Sequence, residues 1–196
     1  MAGALIQEKY HDPNPVVRLL LRRFFERIRS AVAETAPGSI LDAGCGEGEL
    51  MRRNILPQNI PLVSLDLNPA SLAYLRTHSA QDKLVCASLY ALPFPGGCFD
   101  AVLSLEVLEH LPEPAAALGE LSRVARKAVI LSVPHEPYFR IGNVLRGKHL
   151  DRWGDHPEHV QHWNPRSFGA MLESRFRHVR LLEAFPWIVA CCRTQA

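Results

Sequence analysis

Two kinds of hydrophobic spacing divide the chain. Over residues 15–32 apolar side chains recur at helical spacing. Val17, Leu20, Leu21, Phe24, Phe25, Ile28 and Val32 share one arc, and Arg18, Arg22, Arg23, Glu26, Arg27 and Arg29 share the other, with Leu19 alone on the wrong side. Asn14-Pro15 predicts an N-cap followed by the first helical residue, and Pro37-Gly38 predicts the stop. The pattern then changes. Five short runs, at 39–43, 62–67, 83–87, 99–104 and 128–133, are rich in Val, Leu and Ile and do not alternate. Such runs are expected of strands buried on both faces of a parallel sheet. Helix-compatible pieces at 47–53, 69–77 and 113–124 lie between them, which predicts a doubly wound α/β layer. A helix near 165–174 precedes two strand-like runs, 179–184 and 187–192, joined at Phe185-Pro186 and expected to close the sheet as a hairpin.

Composition narrows the class. At 196 residues and 47% apolar, one domain with a proper core is expected. The net charge of +2 gives no reason to expect a nucleic-acid partner. The opening eleven residues do not read as a signal peptide, and no run approaches the roughly 18 apolar residues of a transmembrane helix. Five cysteines, an odd number set mostly in apolar runs, are expected to be reduced thiols in a cytoplasmic protein.

The chemistry concentrates in the segment 40–48, Ile-Leu-Asp-Ala-Gly-Cys-Gly-Glu-Gly, where a buried strand meets three alternating glycines. Such a turn brings backbone close to a ligand. A dinucleotide fold wants Gly-x-Gly-x-x-Gly, but the sixth position here is Glu49, and Asp42 and Glu47 add further negative charge. Carboxylates disfavour a pyrophosphate and suit a cation, which points to the ammonium and sulfonium of S-adenosylmethionine. Asp66, twenty positions after Gly46, ends the second strand, where a carboxylate can accept both hydroxyls of a ribose.

With these residues in place the chain resembles the class I S-adenosylmethionine-dependent methyltransferases, in particular the group that includes the ubiquinone- and menaquinone-biosynthesis enzymes. The matching segments are ILDAGCGEGEL (40–50), Asp66-Leu67, LPFPGGCFDAVLS (92–104), LEVLEHL (105–111), LSRV (121–124) and SVP (132–134). The resemblance implies a Rossmann-like fold with a seven-stranded, mostly parallel sheet and an antiparallel C-terminal hairpin strand. It implies one domain over 1–196, with a helical cap at 1–36 and a substrate lid at 134–164. Asp42, Gly44 and Gly46 would hold the methionine portion, with the Leu105 carbonyl assisting at the ammonium. Asp66 would take the ribose, and Leu67 would lie on the adenine. Where the family usually has Gly-Asp-Ala, this chain has Ala87-Ser88-Leu89, so Ser88 and the Leu89 amide would serve the adenine edge with a weaker, neutral hydrogen bond. The family's Pro-Gly-Gly turn before the fifth strand is replaced by Ala125-Arg126-Lys127. Tyr10 would shield the methionine end.

Methyl transfer from a sulfonium mainly needs alignment of the acceptor and, for a protic nucleophile, a base. Carboxyl ends of strands supply such groups, which selects His135 first and His110 second, followed by His159 or His162. The stretch 134–164 carries five histidines and two tryptophans and is read as the lid. Its His156, His159 and His162, with Glu158, also fit a zinc reading. The preferred reading is recognition of substrate through hydrogen bonds and Trp153 or Trp163, with no metal assigned. The arginine face of the first helix allows weak contact with anionic lipid, against the plainer expectation that its apolar face packs on the sheet. The expected function is methylation of a small-molecule acceptor. The alternatives are a non-catalytic cofactor-binding subunit, for which Ser88 speaks, and a protein methyltransferase.

Overall fold

A computed structural model describes residues 13–79, 83–145, 152–153 and 156–194. The chain opens with helix α1 (Pro15–Thr35), where Asn14 Oδ1 accepts the Val16 amide and Ala36 turns left-handed to stop it. There follow β1 (Ile40–Ala43), the one-turn helix α2 (Glu49–Arg52), β2 (Leu62–Asp66), α3 (Pro69–His78), β3 (Leu84–Cys86) and β4 (Phe99–Leu105). A 3₁₀ turn at Leu108–His110 leads to α4 (Pro114–Val124), β5 (Ala125–Pro134), α5 (Tyr138–Leu145), α6 (Pro165–Glu173), β6 (His178–Ala184) and β7 (Trp187–Arg193).

The seven strands lie in the order β3-β2-β1-β4-β5-β7-β6. The first five are parallel, and β7 enters antiparallel between β5 and β6. The expected doubly wound, mostly parallel sheet with a C-terminal hairpin is therefore the observed one. Chain order reverses between β1 and β4, and in open α/β sheets a ligand crevice forms at such a switch point, beyond the carboxyl ends of the strands.

Successive residues of the central strands serve opposite layers. Leu41, Val102, Val129 and Cys192 join α4 and α6 in one core. Ile40, Ala101, Leu103, Ile130 and Cys191 face α1 in the other. Double burial is why these runs do not alternate in polarity. Cys191 and Cys192 thus point to opposite faces, and all five cysteines are unpaired thiols.

Helix α1 buries Leu21, Phe24, Phe25, Ile28 and Val32 and leaves Leu19 48% exposed, as its wheel predicts. Its arginines are partly committed within the protein: Arg27 Nε donates to the Glu183 carbonyl, Arg29 to that of Asn54, and Arg22 pairs with Glu26. No described helix is long and apolar enough to cross a membrane.

One boundary and one element differ from the expectation by more than two residues. The fifth strand begins at Ala125 rather than 128, because Ala125 caps α4 and passes directly into the sheet opposite Phe99. Arg126 and Lys127 are therefore strand residues, and both reach the buried carboxylate of Asp100. Helix α5 lies within the segment expected to be a lid, where the density of His and aromatic residues obscured its short apolar period.

Candidate active site

The loop after β1 is built from short-range constraints. Gly44, at φ +85°, sits where a Cβ would come within 2.5 Å of Val107 Cγ2, so only hydrogen fits between the loop and the segment following β4. Gly46, at φ +51°, is different: a Cβ there would meet nothing within 4 Å. One glycine lets two protein segments meet, and the other faces open space.

Four amides of this loop are committed inside the protein. Gly44 and Cys45 both donate to the Leu65 carbonyl at 2.7 and 3.0 Å, and Gly48 donates to Cys45. Gly46 donates to Asp66 Oδ2 at 2.8 Å. A phosphate cradle needs convergent outward N–H groups. These four amides offer none, so the glycine turn itself does not form such a cradle.

What the loop presents is negative charge. Asp42 is 4% exposed, and burial, reinforced by Asp66, pushes its carboxyl up to about 7. Glu47 Oε2 is buried without a hydrogen-bond partner among the described residues. Glu49, grouped with them in the sequence, is instead neutralised by Arg53 at 2.8 Å and Arg52 at 3.8 Å. A carboxylate held this far from its ordinary value lacks a compensating cation. The donor set and the open space at Gly46 thus fit the ammonium and sulfonium end of S-adenosylmethionine.

Asp66 Oδ1 accepts the Asn68 amide and Oδ2 the Gly46 amide, both at 2.8 Å. A carboxylate offers about four acceptor positions, so two remain for a vicinal diol. Beside it Leu67 is 66% exposed, an apolar surface suited to a flat heterocycle. Ser88 Oγ accepts the Tyr90 amide at 3.2 Å and so braces its own turn, while the Leu89 side chain is buried in the core. Leu105 is the last residue of β4. Tyr10 lies outside the described residues.

The two histidines selected as bases occupy different surroundings. His135 follows β5, its amide donating to the Pro186 carbonyl at 2.9 Å. Its ring packs edge-on to Tyr138 and Phe185, with centroids 5.0 and 6.4 Å away, and desolvation lowers its pKa below the ordinary histidine value. His110 sits in the 3₁₀ turn, with Nδ1 3.0 Å from the Glu158 carbonyl and its ring against His159 and His156. Of the three lid histidines, His156 and His159 lie tilted against each other with ring centroids 4.9 Å apart. His162 is exposed and outside the His/Glu group gathered there. Trp163 is buried and bridges to His135, whereas Trp153 is 81% exposed.

Sequence reasoning passed over two glutamates of LEVLEHL. Glu106 adopts φ +57°, a left-handed conformation costly for this residue type. Its Oε2 accepts Trp187 Nε1 at 2.8 Å and its Oε1 accepts Ser132 Oγ at 3.1 Å, which ties the ends of β4, β5 and β7 together. Glu109 is fully buried in the 3₁₀ turn. An acidic pair at i and i+3 directly after a buried strand was the available signal.

Comparison with known proteins agrees with this arrangement. Residues 41–133 match the methyltransferase domain family. The chain is 30% identical over 129 residues to a ubiquinone biosynthesis O-methyltransferase of Thiobacillus denitrificans, covering 62% of this chain and 55% of that protein. It is 33% identical over 134 residues to a demethylmenaquinone methyltransferase of Thermus thermophilus, covering 63% and 60%. The chain thus spans little more than half the length of these relatives. Magnesium protoporphyrin IX methyltransferase of Synechocystis shares the fold, with a TM-score of 0.67 at 19% identity over 97% of this chain and 93% of that one.

Proposed function

We propose that this chain, a class I S-adenosylmethionine-dependent methyltransferase by its match over residues 41–133 and by its relatives, methylates a small-molecule acceptor at an oxygen, nitrogen or carbon nucleophile. The observation that carries the reading is the Asp42–Asp66 pair beside a loop in which the Gly44, Cys45, Gly46 and Gly48 amides are bonded within the protein. That surface is complementary to a cationic nucleoside and not to a dinucleotide.

Asp42 would face the ammonium, with the Leu105 carbonyl and the open side of Gly46 receiving the methionine chain and Gly44 letting the loop pack against Val107. Asp66 takes the ribose hydroxyls, Leu67 backs the adenine, and Ser88 with the Leu89 amide meets its edge. When bound, the cofactor supplies an electrophilic methyl group, whose bond to sulfur breaks as the acceptor's lone pair forms the new one. Residues 134–164 act as the lid that aligns the acceptor and excludes water.

His135 is the preferred base. Its depressed pKa keeps the ring neutral near pH 7, so a lone pair is available for the acceptor's proton. His110 ranks second, because a ring nitrogen is engaged at the Glu158 carbonyl. Quinone-pathway enzymes among the relatives support a small-molecule acceptor, and the low net charge speaks against nucleic acid. The five unpaired thiols support a cytoplasmic location.

Calorimetry with S-adenosylmethionine and NADH, followed by labelled-methyl transfer to phenolic, amine and carboxylate acceptors, tests the reading. We expect binding of the sulfonium cofactor alone, followed by transfer to one acceptor class. Binding of NADH alone would end the proposal. Tight cofactor binding with no transfer, even to proteins of an extract, would favour the non-catalytic subunit.

A further inference from the structure

We propose a binding site for a divalent first-row transition-metal ion of the zinc class, formed by Glu109, His110 and His159. One carboxylate oxygen and one imidazole nitrogen from each histidine lie within 4.8 Å of one another. Around a tetrahedral ion such atoms stand about 3.4 Å apart, so shifts on the scale of a rotamer adjustment close the set. One oxygen and two nitrogens suit zinc, cobalt, iron(II) or manganese better than calcium or magnesium.

The frame that holds these groups is built from both sides. The Glu109 carbonyl accepts the amides of Val160 and Gln161 at 2.9 and 3.1 Å. Gln161 Nε2 also donates to the carbonyls of Leu111 and Pro112. Residues 158–161 are therefore strapped to the turn after β4, fifty residues away in sequence, and His159 is carried to the Glu109-His110 pair. Glu109 itself is fully buried, where a carboxylate calls for positive charge nearby.

The protonation pattern selects the ligands. A carbonyl can only accept, so the 3.0 Å contact to Glu158 O puts the proton of a neutral His110 on Nδ1 and its lone pair on Nε2. Metal-ligating histidines are oriented by such a bond on the opposite nitrogen. His156 shows the reverse. Its Nδ1 accepts the Glu158 amide at 3.3 Å, so its neutral ring carries the proton on Nε2 and cannot donate that lone pair. The geometry thus replaces the His156-His159-His162 combination suggested by the sequence with a set in which only His159 survives. Three protein ligands leave at least one position for water or an oxygen ligand, the arrangement of catalytic rather than structural zinc. The site lies just beyond Val107, the residue that touches Gly44, and so belongs to the same rim of the sheet as the cofactor loop.

Plain imidazole packing would produce the same ring contacts without binding an ion. Titrating the chelator-stripped full chain with zinc chloride, and separately with cobalt chloride, distinguishes the two. We expect one ion per chain, with visible d–d bands for cobalt and no thiolate-to-cobalt charge transfer, since no cysteine takes part. His159→Ala should weaken zinc binding by about 100-fold or more, and Glu109→Gln should do the same. His156→Ala should change it by no more than about threefold. S-adenosylmethionine affinity of His159→Ala, measured alongside, verifies the fold and keeps this question separate from the methyltransferase reading. Absence of stoichiometric binding, unchanged affinity in His159→Ala, equal losses in His156→Ala and His159→Ala, or a thiolate band would each overturn the proposal.

Discussion

The backbone amide of Gly46 donates to Asp66 Oδ2 at 2.8 Å, which ties the loop after β1 to the last residue of β2. One carboxylate thus shapes the cofactor loop and faces the place where a ribose would lie. Asp66→Ala should remove both roles, and a loss of S-adenosylmethionine affinity of roughly 150-fold or more is expected, the lower value for two charged hydrogen bonds. Asp66→Asn keeps the size but can retain only part of the acceptor set, so an intermediate loss is expected. Unchanged affinity in the alanine variant, read by calorimetry, would refute the assignment.

The glycines of the loop should separate stability from binding. Gly44→Ala drives a methyl group against Val107 at a strained φ, and a stability loss of about 2 kcal/mol is expected. Val107→Ala in the same chain should recover part of that loss. Gly46→Ala meets no neighbour but must take the left-handed φ of +51°, so its melting temperature should fall less than that of Gly44→Ala while cofactor affinity drops through occlusion of the open space. Thermal unfolding and calorimetry on the three variants read the two effects independently.

Asp42 makes a pH prediction with a definite sign. Its carboxyl lies near 7 in the folded chain against about 4 when unfolded, so ionisation costs stability progressively as pH rises through that window. Asp42→Asn should therefore raise the melting temperature of the ligand-free chain at pH 8 and leave it little changed at pH 4. Cofactor affinity should behave oppositely: in the parent chain it strengthens as Asp42 ionises between roughly pH 6 and 8, and in the variant this rise should disappear. A variant that kept the rise would relocate the responsible group.

Asp100 supplies the opposite case. Burial opposes its ionisation, but the Gly38 amide at 2.7 Å, Lys127 and Arg126 outweigh that and hold the carboxyl below its ordinary value. Its contribution to stability is present above the unfolded carboxylate pKa and is lost as pH falls through the lower folded one. Asp100→Asn should cost about 2 kcal/mol at neutral pH and make acid unfolding less steep, as measured by denaturant titration at pH 7 and pH 3.

If His135 is the base, the rate of transfer should fall on the acid side with an apparent pKa below the ordinary histidine value, following the direction set by its desolvation. His135→Gln should lower kcat by about 100-fold with little change in cofactor affinity. A variant losing cofactor binding instead would assign this residue to packing against Tyr138 and Phe185.

The chain's own pattern determined much of this protein because strand, helix and turn preferences are local. Non-alternating apolar runs marked doubly buried strands, the arc of α1 marked its packed face, and ILDAGCGEGEL marked the glycine loop that Asp66 braces. Boundaries next to charge were less legible: Arg126 and Lys127 read as a turn until Asp100 was seen to receive them in the strand. Tertiary structure alone decided that the loop amides turn inward, that Glu49 is neutralised by Arg53 while Asp42 is not, and that β7 lies between β5 and β6. It also chose His159 from three equally spaced histidines and paired it with Glu109 and His110. Apart from the local Glu49–Arg53 pair, these outcomes depend on groups about twenty to sixty-five residues apart meeting in space. Their energies come from burial and from which donor reaches which acceptor, and neither is encoded in the spacing of any one segment.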